Sequence, residues 1–334
     1  MKRIISLLLV SLMLLALCAC SDNGAAKTQL PTHPTLTTQP APQGNDAITM
    51  TVAADALGIT AKNYPRIDGS TSTLSIVQAV YRAMYGENAT GYPTRASKTV
   101  PSYRLLINGE VDMILVPYAS AEVLKEAENA GVELEFHKIA AEGLIFITSV
   151  ENSTKSITLE QIRKIYLSYG ITNWSELGGP DRELIPICRN SDSGSQSQMD
   201  NLILNNKEMH PGIQNNYVEL TMEGMLEQVA FYHNGGLSGR PTNSYALGYT
   251  LYTYLQQMNE ITGIGEHLKI LSFDGVLPTA ENIADSYYPL ANSYYAVIRS
   301  DLSEDHSARA VITWLQGEDG TKTIENLGLI SCTK

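Results

Sequence analysis

The stretch from Arg189 to Ser195 holds the side chains of this chain best suited to binding a small oxyanion. Arg189 stands four residues before Ser193, and a guanidinium can donate two parallel hydrogen bonds to a tetrahedral oxyanion. Ser193 and Ser195 add hydroxyl donors, and Gly194 lets the backbone come close to a ligand. An apolar pattern at helical spacing begins directly afterwards, so the loop is predicted to end at a helix N-terminus, where unpaired N–H groups attract anions.

A second hydroxyl-rich helix start lies at residues 68–73, which read Asp-Gly-Ser-Thr-Ser-Thr and include Ser72 as a candidate ligand-binding residue. The apolar residues that follow it have helical spacing: Leu74, Val77, Val80, Tyr81 and Met84. Two such starts in one chain predict two halves that close on one small anion. Ser, Thr, Asp and Gly are also ordinary N-cap residues, so the alternative that either start is a structural cap stays open.

The elements that must position these starts alternate short apolar runs with helical patterns, which predicts an α/β fold with largely parallel sheets. Strands are predicted at residues 111–116, 134–139, 144–148, 185–188, 246–249 and 294–299, and helices at 121–130 and 158–167. The strand at 185–188 leads directly into the Arg189 loop. The helix at 158–167 begins with Thr158 and Gln161 in the arrangement of a capping box.

Charge and composition exclude several classes of function. The net charge of −12 argues against nucleic acid or an anionic membrane face as a partner. The six histidines have no metal-ligand spacing, and no dinucleotide or phosphate-loop motif is present, so neither a metal nor a cofactor is expected. A hydrophobic content of 43% is normal for a globular body with a full core.

The N-terminus has the pattern of a bacterial lipoprotein signal peptide over residues 1–19. Lys2 and Arg3 precede an apolar run, and Leu17-Cys18-Ala19-Cys20 resembles a lipobox with Cys20 as the lipidated residue. Lipidation of Cys18 and a plain cleaved signal peptide are the alternatives. Residues 20–48, rich in Thr, Pro, Gln and Ala, are predicted to be a disordered tether. The protein is thus expected to be exported and lipid-anchored on the outer face of the bacterial cytoplasmic membrane.

Two cysteines, Cys188 and Cys332, remain after the predicted cleavage. An even count in an exported protein permits a disulfide, which here would close a very long loop. Two separate buried thiols are the alternative.

With both helix starts in place, the chain resembles the PstS-like phosphate-binding proteins of phosphate ABC importers. The likeness runs from about Tyr64 to the C-terminus. The family motif Arg-x-x-x-Ser-Gly-Thr is met by Arg189, Ser193, Gly194 and Ser195, with Ser in place of Thr. The family's first motif matches residues 69–73, and residues 171–175 and 246–249 are supporting signatures.

The resemblance implies further ligand-binding residues. Thr73 matches the family's ligand-binding threonine, Leu74 takes the place of a phenylalanine whose backbone N–H contacts the ligand, and Thr99 falls on the family's other ligand serine. One departure is Pro117, which stands where the family has an aspartate that accepts a hydrogen bond from protonated phosphate. Since a carboxylate only accepts, it disfavours sulfate. Asp68 and Asp192 are candidate substitutes.

The fold implied by the resemblance is the two-lobe, type II periplasmic-binding-protein-like α/β fold, with a hinge and a ligand cleft between the lobes. Residues 49–143 and 249–334 would form lobe one and residues 144–248 lobe two. The chain would cross near residues 141–147 and return near residues 246–252. Binding of the ligand would favour closure of the lobes.

The function implied is capture of inorganic phosphate or a similar oxyanion by a monomeric, lipid-anchored subunit that delivers it to an ABC permease and ATPase. An alternative is a non-transporting surface receptor, sensor or adhesin with the same fold, which Pro117 supports. A second alternative is a hydrolase with Ser193 or Ser195 as nucleophile. It lacks a Gly-x-Ser-x-Gly elbow, and Ser331 to Lys334 is the only Ser-x-x-Lys, so no enzyme activity is expected.

Overall fold

Helices and strands alternate along the chain in the computed structural model, which describes residues 50–235 and 242–332. These described residues belong to one compact unit. The predicted signal peptide, Cys20 and the tether up to residue 48 lie outside them. Within the described ranges, no helix combines the length and the apolar character needed to cross a membrane.

The strands, in chain order, are β1 Ile67–Gly69, β2 Met113–Pro117, β3 Leu134–Ser149, β4 Ser156–Ile157, β5 Glu183–Pro186, β6 Cys188–Arg189, β7 Val218–Glu219, β8 Ser244–Leu251, β9 Leu268–Ile270, β10 Ser272–Phe273 and β11 Ala291–Arg299. The α-helices are α1 Val52–Ala56, α2 Leu74–Tyr85, α3 Thr99–Ile107, α4 Ala121–Asn129, α5 Leu159–Ser168, α6 Gly194–Gln198, α7 Pro211–Asn216, α8 Met222–Phe231, α9 Tyr252–Thr262, α10 Ala280–Ala284, α11 Ser307–Leu315 and α12 Glu318–Asn326. A 3₁₀ turn at Thr71–Thr73 precedes α2, and a π-helical turn at Met199–Leu204 continues α6.

Among the described strands, seven form one sheet in the order β1-β2-β11-β3-β8-β5, with β9 also paired to β3. The long strand β3 joins two sections of this sheet. Its residues 134–143 pair with β11, and its residues 144–149 pair with β8 and β9. The partner therefore changes between Gly143 and Leu144.

The prediction of largely parallel sheets is wrong. Strands β1 and β2 are parallel, and so are β5 and β8, but β11 runs antiparallel to both of its neighbours, and β3 is antiparallel to β8. The sheet is mixed because β11, from the C-terminal part of the chain, inserts between β2 and β3. Helices cover both faces of an α/β sheet of this kind, so β2 is buried on both sides: Met113 and Leu115 pack in one core cluster, Ile114 and Val116 in another.

Two helices begin and pack as local patterns in the sequence predict. Helix α5 begins with the predicted capping box, in which Thr158 Oγ1 accepts from Gln161 N at 3.2 Å and Gln161 Oε1 accepts from Thr158 N at 2.9 Å. Helix α2 buries Val77, Val80, Tyr81 and Met84, as its spacing predicts.

The two strands predicted at residues 134–139 and 144–148 are one continuous strand, β3. Its middle is buried, and the carboxylate of Glu142 accepts hydrogen bonds from the backbone of Gly143 and from the backbone and hydroxyl of Thr253. Burial raises the pKa of Glu142 despite these bonds. A Cβ at Gly143 would lie 2.9 Å from Ile283 Cδ1, so a larger residue there would displace that side chain.

The change of partner between Gly143 and Leu144 lies within residues 141–147, where the resemblance predicts that the chain crosses between the lobes, and that crossing stays a prediction. Strand β9 pairs with residues 147–149, so part of the segment predicted for lobe one hydrogen-bonds to a section predicted for lobe two. The lobe boundaries at residues 143–144 and 248–249 stay a prediction. Cys188 and Cys332 are both free thiols, Cys188 being buried.

Candidate functional site

A cleft of about 200 Å³ lies where the two hydroxyl-rich helix starts meet. Its lining residues are Ser70, Thr71, Ser72, Lys98, Thr99, Arg189, Asp192, Ser193, Gly194, Leu220, Thr221, Met222, Glu223 and Tyr254. Residues 70–72 and 98–99 adjoin the sheet section built on the first part of β3, and residues 189–194 and 220–223 adjoin the other section. The cleft is therefore lined from both sides, as the sequence predicts.

Arg189 is a buried cation, with 6% of its surface exposed. Its Nε donates to the carbonyl of Glu219 at 3.0 Å and its Nη2 to that of Leu220 at 3.3 Å, which fixes the guanidinium at the cleft wall. Among the described residues it makes no ion pair within 4.0 Å, and burial lowers its pKa. A buried charge without a partner is costly, so this site favours an anion that would pair with it.

The backbone around Arg189 is held by side chains from the core. The Arg189 N–H donates to the hydroxyl of Tyr249 at 3.0 Å, and that hydroxyl also hydrogen-bonds to Gln196. Tyr249 is fully buried, which raises its pKa well above its ordinary value, so it stays a neutral phenol. Strand β8 and helix α6 thus fix the position of the loop that carries the cation.

At the start of α6, Ser193 and Gly194 line the cleft, whereas Ser195 is fully buried and does not. Ser193 is the N-cap residue, yet its hydroxyl caps no backbone N–H and instead lies 2.9 Å from Ser195 Oγ. Gly194 leaves no room for a side chain, because a Cβ there would lie 2.7 Å from Thr99 Oγ1 and 2.8 Å from Pro117 Cγ. The glycine therefore permits the two sides of the cleft to approach each other.

At the other helix start, Ser72 lines the cleft but Thr73 and Leu74 do not. Thr73 Oγ1 donates to the carbonyl of Leu115 at 2.5 Å and accepts from Ser70 N at 3.0 Å as part of a capping box. Its hydroxyl is thus used in structure. Ser70, which also lines the cleft, lies with its hydroxyl 3.0 Å from that of Ser72.

Thr99, at the first position of α3, has a buried hydroxyl without a hydrogen-bond partner among the described residues. A buried unpaired hydroxyl is uncommon and points to a ligand atom as its partner. Lys98 precedes it with a positive φ of 73°, and strained backbone of this kind in residues other than glycine clusters at functional sites. Lys98 is exposed, so it adds a second positive charge at the rim of the cleft.

Sequence reasoning missed the residues that line the cleft from the start of α8 and from α9. Thr221 caps α8 by accepting from Gly224 N at 2.9 Å, a local signal that a search for further helix starts could have found. Met222 and Glu223 follow it. Tyr254 reaches the cleft from α9, and burial, with a smaller contribution from Glu223, raises its pKa to about 12. No motif marks Tyr254, since only the fold brings it here.

The structure distinguishes between the two candidate substitutes for the missing aspartate. Pro117 is buried at the end of β2, where its carbonyl accepts from Tyr103 Oη at 2.9 Å. Asp68 does not line the cleft, and its carboxylate accepts from Ser97 N at 3.3 Å and Ser102 Oγ at 2.8 Å. Asp192 does line the cleft and is half-buried there.

The described part of the chain holds no group of three or more His, Cys, Asp or Glu side chains placed to bind a metal ion. Ser193 has Ser195 as its side-chain hydrogen-bond partner, not a histidine, lysine or carboxylate within the described residues. Activation of a serine nucleophile needs such a base. The donors that line the cleft, Arg189 above all, suit an anion.

Comparison with known proteins shows the family to which the chain belongs. Residues 46–319 match the family model for the PBP superfamily domain. The phosphate-binding protein PstS of Borreliella burgdorferi is 27% identical over 268 residues, which cover 79% of this chain and 88% of that protein.

Two solved structures share the fold. An ABC-type phosphate transport receptor from Vibrio cholerae is 22% identical with a TM-score of 0.58, over 79% of this chain and 98% of that one. PstS from Borrelia burgdorferi is 26% identical with a TM-score of 0.50, over 80% of this chain and 98% of that one. These relatives are named as binding proteins or transport receptors. The chain belongs to the PBP superfamily and has its two-lobe, α/β fold, with PstS-like phosphate-binding proteins among its relatives.

Proposed function

We propose that this protein binds inorganic phosphate, or a closely similar oxyanion, between its two lobes. The observation that carries the proposal is Arg189, a buried guanidinium at the cleft wall that makes no ion pair among the described residues. The hydroxyls of Ser72, Thr99 and Ser193 surround the same space. The names of the relatives as phosphate-binding proteins and phosphate transport receptors support phosphate as the ligand.

The donors are sufficient in number for useful affinity. A hydrogen bond to a charged group contributes about 1.5–3 kcal/mol, and micromolar binding needs about 8 kcal/mol. Arg189 and the three hydroxyls can together donate more than three such bonds, against the cost of desolvating the anion. Thr73, Leu74 and Ser195 belong to the proposed site through the family resemblance, and the hydrogen bonds of Thr73 and Ser195 assign them a supporting position behind the cleft wall.

Asp192 completes the proposal as the hydrogen-bond acceptor of the site. A half-buried carboxylate in a cleft lined by donors favours an oxyanion that still carries a proton, since an ionised carboxylate can only accept. Phosphate near neutral pH carries such a proton and sulfate does not. Asp192 would thus replace the acceptor that is lost at Pro117.

The biological role we propose is delivery of the bound phosphate to an ABC permease and ATPase. The protein would be a monomer, exported and held on the outer face of the bacterial cytoplasmic membrane through lipidated Cys20. The signal-like N-terminus and the Pro- and Thr-rich segment up to residue 48 support this anchor. Mass spectrometry of the protein from membranes would detect a diacylglyceryl group on Cys20. A mature protein that begins at another residue without a lipid would contradict the anchor.

The test of binding is isothermal titration calorimetry of residues 21–334 with phosphate and then sulfate, after removal of carried-over ligand by unfolding and refolding. Saturable heat with phosphate and none with sulfate is the expected result. Arg189→Gln should remove the phosphate signal. Arg82→Gln, which changes an exposed arginine paired with Glu87, serves as the matched control.

A receptor or sensor for another anion is the second candidate, and Pro117 is the observation that favours it. In that case phosphate would give no heat while the protein remained folded. A panel of other oxyanions would then identify the ligand through the same Arg189 dependence.

A further inference from the structure

One side of the helix that follows the Arg189 loop lies against the opposite lobe. Gly194 and Gln198 are spaced i and i+4 on α6, and Asn201 lies in the π-helical turn that continues it. Gly194 forms the first contact, since its Cα faces Thr99 and Pro117 at the cleft. Gln198 and Asn201 continue this contact away from the cleft.

Three side-chain amides connect the two sides at this place. Gln198 Nε2 donates to the carbonyl of Tyr118 at 3.2 Å, and Asn201 Nδ2 donates to the carbonyl of Ala119 at 2.9 Å. Asn292 Nδ2 donates to Gln198 Oε1. Gln198 is 1% exposed, so its bonds lie in the interior of the contact. We call Gln198, Asn201 and Asn292 the amide cluster.

The amide cluster connects the two parts of the chain that line opposite sides of the cleft. Its own three residues do not line the cleft. Tyr118 and Ala119 follow β2, and Asn292 lies on β11, both in the section of the sheet that pairs with residues 134–143 of β3. Gln198 and Asn201 continue α6, which starts at Gly194 in the cleft wall. Any contact that holds these parts together also holds the cleft residues in place.

The chemistry of the cluster fits a contact that opens and closes. Amide-to-carbonyl bonds can be exchanged for bonds to water when the surfaces separate, so opening leaves no polar group unpaired. A contact made of large apolar side chains would have to expose them to water on every opening. Contacts between domains that move are accordingly more polar than a core.

We propose that the amide cluster is a reversible clasp between the lobes and that it sets the affinity of the cleft for its anion without touching the anion. The proposal rests on phosphate binding as the function of the cleft. Because an anion gripped from both sides leaves only when the sides separate, a clasp that favours the closed arrangement with or without the anion slows release.

The test compares Asn201→Ala and Gln198→Ala with the wild type and with Asn216→Ala in residues 21–334. Asn216 is the matched control, because its amide donates at 2.7 Å to the carbonyl of Gly212 in its own helix. Association and dissociation rates of radiolabelled phosphate are measured, with thermal melting as the check on folding. Each clasp variant should raise Kd by roughly 2- to 10-fold, the contribution of one hydrogen bond, through faster dissociation. Asn216→Ala should bind like the wild type.

A wild-type Kd in both clasp variants would overturn the proposal, and so would a change in the association rate alone. Small-angle X-ray scattering gives a second readout that does not depend on phosphate. Both clasp variants should show a larger radius of gyration than Asn216→Ala, and equal values would also contradict the clasp. If the wild type fails to bind phosphate, the proposed function fails, while the scattering comparison still decides the inference.

Discussion

At Ser70–Thr73 and at Ser193–Ser195 the chain uses the same residue types for different purposes. In the first start, Thr73 bonds to Leu115 and Ser70, so its hydroxyl holds the turn against β2. In the second start, Ser193 caps no backbone N–H, and the nearby guanidinium of Arg189 makes no ion pair among the described residues. The comparison teaches that residue type alone does not separate a cap from a ligand site; the partners of each polar atom do.

The largest expected effect is at the second start. Arg189→Gln should lower phosphate affinity at least 100-fold, because two hydrogen bonds from a charged group contribute about 1.5–3 kcal/mol each. Melting should not fall, since the substitution also removes a buried charge that lacks a partner. Titration calorimetry and thermal melting measure both quantities. Near-normal phosphate affinity in this variant would show that the second helix start is no more a ligand site than the first.

At the first start, the expected effect is on stability. Thr73→Val keeps the shape but leaves the carbonyl of Leu115 without its hydroxyl donor, which should lower the free energy of unfolding by about 1–3 kcal/mol. Urea denaturation measures this change, with the exposed neighbour Thr71→Val as the control. An unchanged free energy of unfolding together with lost binding would make Thr73 a ligand residue, as the family resemblance implies.

Ser193→Ala should act mainly on phosphate binding. Loss of one hydrogen bond to the anion should weaken phosphate binding by roughly 5- to 10-fold, and the free energy of unfolding should fall by only about 0.5–1.5 kcal/mol, because the buried Ser195 hydroxyl loses its partner. Calorimetry and urea denaturation test the pair of values, and Ser191→Ala, at an exposed position of the same loop, is the control. A loss of stability without a loss of affinity would show that Ser193 is a cap after all.

The smallest expected effect concerns selectivity. Asp192→Asn can donate to an oxyanion, so the ratio of phosphate to sulfate affinity should fall by a factor of roughly 1.5 to 5, the worth of a partly exposed charged contact of about 0.2–1 kcal/mol. Competition titration with both anions measures the ratio. Glu223→Gln changes the other, more exposed carboxylate of the cleft and should alter the ratio less. If Glu223→Gln has the larger effect, the acceptor is on α8.

Local patterns were enough to predict much of the fold. The capping box of α5, the spacing of α2 and the apolar run of β2 each depend on a few neighbouring residues, and each element is present. The mixed sheet was not predictable in this way, since more than 140 residues separate β11 in sequence from the residues of β2 and β3 with which it pairs. The continuity of β3 through Glu142 was missed for the same reason, because its carboxylate is satisfied by Thr253.

The residues of the candidate site also differ in whether local sequence predicts them. Arg189, Ser193 and Gly194 are close together in sequence and line the same cleft, whereas Tyr254 and residues 220–223 reach the cleft only through the packing of α8 and α9. Thr73 and Ser195 have the right residue types and neighbours in sequence. Their hydroxyls turn instead towards Leu115 and Ser193, which sequence alone does not reveal.

The uninterrupted course of β3 fixes the number of residues between the two sections of the sheet. Successive side chains of a strand point to opposite faces, so one residue inserted at Gly143 would turn every side chain of one section over relative to the other. Because β3 is buried on both faces from Ile139 to Ser149, each side chain turned over in this way would meet a core packed around a different residue. Insertions and deletions between related chains should therefore be absent from residues 140–147, even where the surrounding loops vary in length.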